Sequence, residues 1–215
     1  MYPKKILEQA IKKYKYNDKL IFSSAASGTV KKGSFYDELV SKNNIYNLKE
    51  PSALDVYNGK VIINDYSNYY AVGPIYYVNE SNVLTYIPSL ANISSKNRQK
   101  IFEDALDSGI LNTFAFSPVL VINGKAEKIS NDYYALRNGL CQVDENNFIS
   151  VISKNKHWDR QDFANFMADL GCQTAINLDG GGSVALLYKE HGSSNIKVLS
   201  GNARTLSNIY YFVEL

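Results

Sequence analysis

This 215-residue chain holds only two cysteines, two histidines, two methionines and one tryptophan. Cys141 and Cys172 cannot build a disulfide framework or a four-cysteine zinc site, and they are expected as buried free thiols. His157 and His191 stand in neither an H-E-x-x-H nor a paired-ligand spacing, which removes the common zinc-hydrolase patterns. Charge of one sign is scarce as well. Lys plus Arg is 23 and Asp plus Glu is 21, a formal +2, and no basic stripe of the kind that tracks nucleic acid appears. The longest apolar stretches, such as Ser117 to Ile122, fall far short of the roughly 20 residues a membrane span needs. Met1 to Ala10 lacks the uninterrupted apolar core of a signal peptide. No repeat, Pro- or Ser-rich linker or low-complexity stretch divides the chain. The expectation is a soluble protein with neither nucleic acid nor membrane as partner.

What is present is tyrosine, 17 residues, with nine phenylalanines. An apolar ring with a polar tip suits sugar-binding surfaces; codon bias and strand propensity explain the same count, and both readings stay open. Ile6, Leu7, Ala10, Ile11 and Tyr14 fall at helical spacing in an N-terminal helix from Pro3 to about Lys15. A second helix is expected from Ser94 or Ser95 to Ser108, ended by Gly109. A third runs from the cap Asp159 to Leu170, ended by Gly171, with Phe163, Phe166, Met167 and Leu170 inward. Strand-like runs occupy 20–23, 54–57, 61–64, 69–72, 75–78, 83–87, 113–122, 133–143, 148–152, 174–178, 184–188, 196–199 and 208–213. Asn58-Gly59 and Asn123-Gly124 mark tight hairpins. The fold class that follows is α+β, with mostly antiparallel or mixed sheet, two principal helices and the N-terminal one. Residues 1–20 form a helical extension and 21–215 a single domain.

The richest local signal is Asn177-Leu178-Asp179-Gly180-Gly181-Gly182-Ser183, set between two strand-like runs. A two-residue period sends Asn177 and Asp179 to one face and Leu178 to the other. Three glycines remove every Cβ from the turn, so a ligand can approach the backbone and its N–H groups can hold an anion. An acid beside bare donors suits hydrolysis of an anionic substrate. A plain connector, with Asp179 bonding only its own turn, would need one glycine, and three favour the ligand-binding reading. The segment is no P-loop, because no Gly-Lys-Ser/Thr follows. It is no nucleophile elbow, because the second glycine is missing and a strand, not a helix, comes next.

Several ordered motifs resemble the phosphodiester glycosidase family. Thr113 to Lys125 resembles its Phe-x-x-Pro-x-Leu-x-x-x-Gly-Lys hairpin, and Ala135 to Leu140 its Arg-x-x-x-Gly segment, here with Gly139 closer to Arg137. Asp159 to Gly171 resembles the helix ending in Leu-Gly-Cys, here Leu170-Gly171-Cys172. Ala175 to Ser183 is very similar to the family signature, and Arg204 to Asn208 resembles its closing Arg-x-x-x-Asn. Lys32-Gly33-Ser34-Phe35-Tyr36 is the nearest match to an early Asn-Gly-Gly-Phe-Phe element, with Lys32 for Asn and Ser34 for Gly. The first 20 residues have no counterpart.

The resemblance implies hydrolysis of a sugar-1-phosphodiester, between anomeric carbon and phosphate oxygen. It implies Asp179 as the carboxylate nearest the reacting centre and Asn177 as a sugar-positioning residue. Gly180, Gly181, Gly182 and Ser183 would bind by backbone and hydroxyl, Arg137 and Arg204 would hold phosphate as forked donors, and Gly33 and Ser34 would line the pocket. Asp37, Glu38 and Asp159 are candidates for a second carboxylate. No cofactor is required, and a divalent cation beside Asp179 is left open. The implied partner is a phosphorylated glycan of a cell envelope or capsule, and a homo-oligomer or a virion-assembly contact is also open. A phage tail or baseplate component is one expected setting, with the chain in a virion, or in the cytoplasm before release. A non-catalytic carbohydrate-binding or structural module on the same fold is the competing class.

Overall fold

The computed structural model describes residues 3–27, 54–64, 74–115, 118–130, 133–200 and 208–214. Among them lie three α-helices, α1 (Pro3–Tyr14), α2 (Ser95–Asp107) and α3 (Arg160–Asp169). The strands are β1 (Ile21–Ser27), β2 (Leu54–Tyr57), β3 (Lys60–Asn64), β4 (Ile75–Asn79), β5 (Leu84–Ile87), β6 (Ile110–Ala115) and β7 (Val119–Ile122). They continue with β8 (Lys125–Ala126), β9 (Asn138–Gln142), β10 (Phe148–Ile152), β11 (Thr174–Asn177), β12 (Leu186–Lys189), β13 (Ile196–Ser200) and β14 (Asn208–Val213). Three antiparallel sheets result, with strand orders β13-β12-β1-β14, β10-β9-β11-β7-β8 and β3-β2-β6-β4-β5. The fold is α+β, as the sequence predicts.

Each helix covers one sheet. Leu7 and Ile11 of α1 pack with Ile21, Ala185 and Leu187, and Phe102 and Ala105 of α2 with Leu54, Val56, Ile75 and Ile110. Phe163, Ala164 and Met167 of α3 pack with Leu120, Val121 and Ala175. The opposite faces meet in a fourth cluster that gathers Tyr76, Leu84, Val119, Leu140, Ile176, Leu178 and Tyr210 from all three sheets. Strand alternation makes this possible: Ile75 and Tyr77 turn to α2 while Tyr76 between them turns to the centre. Polar bridges tie the sheets as well. Gln142 Oε1 accepts from Leu84 N at 2.7 Å while its amide donates to Asn82 O at 2.7 Å. Buried Lys189 donates to the carbonyls of Asn17 and Lys19, fastening the exit of α1 to β12.

Local signals explain the turns. Asn58 and Gly59 (φ +50° and +72°), and Asn123 and Gly124 (+50° and +75°), take the paired positive φ of a type I′ hairpin. Ser94 and Asp159 accept from Asn97 N and Asp162 N, as N-caps should. Tertiary context overrides the sequence at four places. The single strand expected over 113–122 is two, β6 and β7, in different sheets; Pro118, which has no N–H to give a ladder, sits at the break. The expected strand 133–143 shrinks to β9, because Ala135 pairs with Trp158 instead, through bonds of 3.1 and 2.9 Å. Leu170, expected inward, is 38% exposed, since α3 ends at Asp169 and the chain turns at Gly171 (φ +87°). The expected strand 69–72 lies outside the described residues.

The fourth correction concerns the cysteines. Cys141 and Cys172 are not free thiols but a buried disulfide, with Cα atoms 5.5 Å apart. A sequence separation of 31 carries no pairing pattern. The antiparallel register does, since Cys141 opposes Ala175, three residues past Cys172. In the chain-entropy view a loop of this size contributes about 3–4 kcal/mol. Thermal unfolding with and without reductant is expected to show a fall in Tm of about 10 °C on reduction or in a Cys141→Ser/Cys172→Ser variant. Thiol titration of the unreduced, unfolded chain should find no free cysteine; an unchanged Tm or two reactive thiols would refute the bridge.

Candidate active site

The signature segment emerges from the middle of its sheet. Leu178 follows Ile176 into the central cluster, which leaves Asn177, between them, on the side that faces α3. Asn177 is paired in register with Gly139. A Cβ on Gly139 would meet Phe163 Cε1 at 3.0 Å, the Ile176 carbonyl at 3.1 Å and Met167 Cε at 3.1 Å, so the strand and α3 approach closely only because that atom is missing. Beyond Asn177 the chain stays bound to the segment before β9. Leu178 N donates to Asn138 O at 2.8 Å, Gly181 N to Leu136 O at 2.8 Å, and the Asn138 amide to the Asp179 carbonyl at 3.4 Å.

One 3-10 turn, Gly181–Ser183, then returns the chain towards β12, closed by Ser183 N on Gly180 O at 3.0 Å. Its three glycines have three different causes. Gly180 is a close approach: a Cβ there would stand 2.4 Å from the Leu136 carbonyl oxygen. Gly181 has φ +54°, the left-handed region that side chains disfavour. Gly182 has neither constraint; it is exposed, and a Cβ would find no atom within 4 Å. Asp179, 6% exposed, and fully buried Ser183 are held inside the bend.

Arg137 lies next to this bend, its Cα 3.9 Å from where a Gly180 Cβ would be. Its backbone N donates to Ser153 Oγ at 2.6 Å, its Nε to Trp158 O at 2.8 Å and its Nη2 to Tyr133 O. Arg137 as a residue is 3% exposed, and its Cζ lies 5.3 Å from the Tyr133 ring centroid. The structure therefore brings Asn177, Asp179, the glycine bend, Ser183 and Arg137 into one neighbourhood. Arg204, Gly33, Ser34, Asp37 and Glu38 lie outside the described residues. Asp159 Oδ1 is occupied as the α3 cap, at 2.7 Å from Asp162 N. Among the described residues no group of three or more His, Cys, Asp or Glu is set to hold a metal, and no helix is long and apolar enough to cross a membrane.

Sequence reading missed three neighbours: Asn138, which bonds the Asp179 backbone, Tyr133, and Arg160. Arg160 brings its Cζ to 5.7 Å from the Tyr133 ring centroid. Its signal was available. A cation in the first turn of a helix opposes the helix dipole, where acids are the favoured residues.

A family model described as phosphodiester glycosidase matches residues 25–213. No curated protein matches the chain. Among solved structures it is similar to the zebrafish N-acetylglucosamine-1-phosphodiester alpha-N-acetylglucosaminidase catalytic domain, auto-inhibited by pro-peptide, at 13% identity and TM-score 0.53. That alignment covers 87% of this chain and 61% of the zebrafish one, so the chain spans less than two thirds of its relative, and the likeness bears on the fold alone. A hypothetical protein from Synechocystis is similar at 20% identity over 66% of this chain and 34% of that one, with a TM-score of 0.42. The family match runs through the glycine bend and through every described element that holds it, and the chain belongs to the phosphodiester glycosidase family.

Proposed function

We propose that this chain hydrolyses a glycosyl phosphodiester, breaking the bond between the anomeric carbon and the phosphate oxygen. One observation carries the reading: a glycine bend clamped to 136–138 holds Asp179 at its start, next to the close approach of Gly180 to the Leu136 carbonyl, while Gly182 leaves the outer side of the bend open. The Asp179 carboxylate meets the positive charge that develops at the anomeric carbon, and water supplies the oxygen that replaces phosphate. A phosphate leaving group is a weak base, so little protonation by a strong acid is needed. Asn177 orients the sugar, and backbone donors of the bend with nearby guanidinium charge receive the phosphate oxygens. Tyr133 and Tyr134, each 65% exposed, add rings on which further sugars stack, which favours a glycan over a single sugar phosphate. The buried disulfide supports a protein that works outside a reducing cytosol. The same exposed rings would serve a binding module; glycan binding without release of reducing sugar is the result that selects that alternative.

Asp179→Asn keeps the shape of the side chain and removes its charge. Release of reducing sugar from a sugar-1-phosphodiester is expected to fall at least about 100-fold with Tm nearly unchanged. Turnover close to wild type would reject Asp179 as the reacting carboxylate.

The glycines separate fold from ligand. Gly180→Ala forces a Cβ against the Leu136 carbonyl and is expected to cost about 1–3 kcal/mol, read as a lower Tm. Gly182→Ala meets no protein atom; stability should hold while KM rises several-fold. A Gly182→Ala enzyme with wild-type KM would show that substrate does not approach the bend there.

A further inference from the structure

We propose that the outward face of α1 is a docking surface for a polyanion, the phosphodiester-linked glycan chain that runs on beyond the bond cleaved at the glycine bend. That the polyanion is a glycan rests on the function proposed above; that the face takes a polyanion does not.

The charge of the chain is divided unevenly. Residues 1–15 hold five lysines and one acid, Glu8, a formal +4, while the other 200 residues hold 18 basic and 20 acidic side chains, a formal −2. The small positive total therefore resides on one helix. Lys4, Lys5 and Lys12 are exposed, and so are Lys13 and Lys15 at its end. At 3.6 residues per turn Lys4, Lys5 and Lys12 fall within about 100° of arc, with Glu8 among them. The opposite side is buried: Leu7 and Ile11 pack against Ile21, Ala185 and Leu187. α1 ends at Tyr14, before the family match begins at residue 25, so the lysine face is an addition to the matched domain.

Helix stability accounts for one end of this face only. Lys12 and Lys13 in the last turn agree with the helix dipole, whereas Lys4 and Lys5 stand in a first turn that holds no acid and oppose it. Laying α1 into a lipid surface would require the apolar side that the sheet already covers. What the helix offers outward is charge without apolar contact. Ammonium groups on flexible stems suit an anionic chain whose phosphates keep no single geometry. Position favours the substrate as that chain. Ala185, beneath α1, follows Ser183 of the bend by two residues, about 7 Å of extended backbone. The lysines lie on the far side of a helix about 10 Å across. A polymer of several repeats spans from the bend to that face, and a single glycosyl diester does not.

Binding of the full chain to an immobilised linear polymer of hexose 1-phosphate diester repeats tests the assignment, with dextran as the uncharged control. Wild type is expected to bind the polymer and not dextran, and to lose that binding towards about 1 M salt, where the screening length is about 3 Å. The Lys4→Gln/Lys5→Gln/Lys12→Gln variant is expected to bind at least about tenfold more weakly, while its turnover of a single sugar-1-phosphodiester stays at the wild-type value. Melting curves establish that the variant folds. Should it be unstable, Lys4→Gln/Lys5→Gln decides, since it removes only the charges that oppose the dipole. Equal polymer affinity in the folded variant and wild type would overturn the proposal. So would a wild type that prefers duplex DNA or phosphatidylserine vesicles to the polymer. Lysine-dependent polymer binding by a wild type that releases no reducing sugar from either substrate would leave the docking face standing and remove the glycosidase reading.

Discussion

The contact on which the site depends is the approach of the Gly180 backbone to the carbonyl of Leu136. A Cβ at residue 180 would come within 2.4 Å of that oxygen, and the neighbouring Gly181 N–H bonds the same atom at 2.8 Å. One carbonyl thus sets how deep the bend sits and where Asp179 lies relative to Arg137, the residue after Leu136. The contact belongs to a series. Leu178 N on Asn138 O and the Asn138 amide on Asp179 O continue it, so the chain past the end of β11 keeps tracking the segment that leads into β9. An acid on an unrestrained loop would sample many positions; this one is carried as an extension of a sheet.

The sheet in turn is set by what packs on its two sides. Ile176 and Leu178 enter the cluster where the three sheets meet, and Ala175 faces α3. A slip of one residue in β11 would exchange those faces and bury Asn177 against the central cluster. Gly139 allows the tight seat of Phe163 and Met167 over the strand pair, and Gln142 fixes the same strand to β5 through a buried bond from Leu84 N and to the turn before it through Asn82 O. The site's geometry is therefore a consequence of register, and register is a consequence of where the large side chains fit.

Much of this was legible in the chain. Asn-Gly pairs need two positive φ angles, Ser94 and Asp159 are cap residues, and an acid followed by three glycines is rare as a mere connector, so local chemistry announced the hairpins, the helix starts and the bend. What stayed hidden depends on pairing between distant residues. Nothing local in 113–122 says that one half joins β4 and the other β11. Nor does anything in 133–137 say that Ala135 will pair with Trp158 instead of prolonging β9. Cys141 and Cys172 read as two small apolar residues until β9 and β11 are neighbours. The roles of the glycines were legible only as a group. Coordinates divide them into one steric requirement, one dihedral requirement and one, Gly182, that the protein itself does not demand.

That division has a counterpart in α3. The helix carries Arg160 at its first position and runs into Cys172 just beyond its end. Ten residues at 1.5 Å per residue make a rod of about 15 Å. Its far end is fastened to β9 by the disulfide, and its near end by the Asp159 cap and the Trp158–Ala135 pair. Between them Phe163, Ala164 and Met167 bury the inward face. A rod pinned at both ends and along one side has little freedom to rotate, so a cation on its first turn keeps its place although the helix dipole opposes it. Arg160 there stands over the Tyr133 ring, its Cζ 5.7 Å from the centroid.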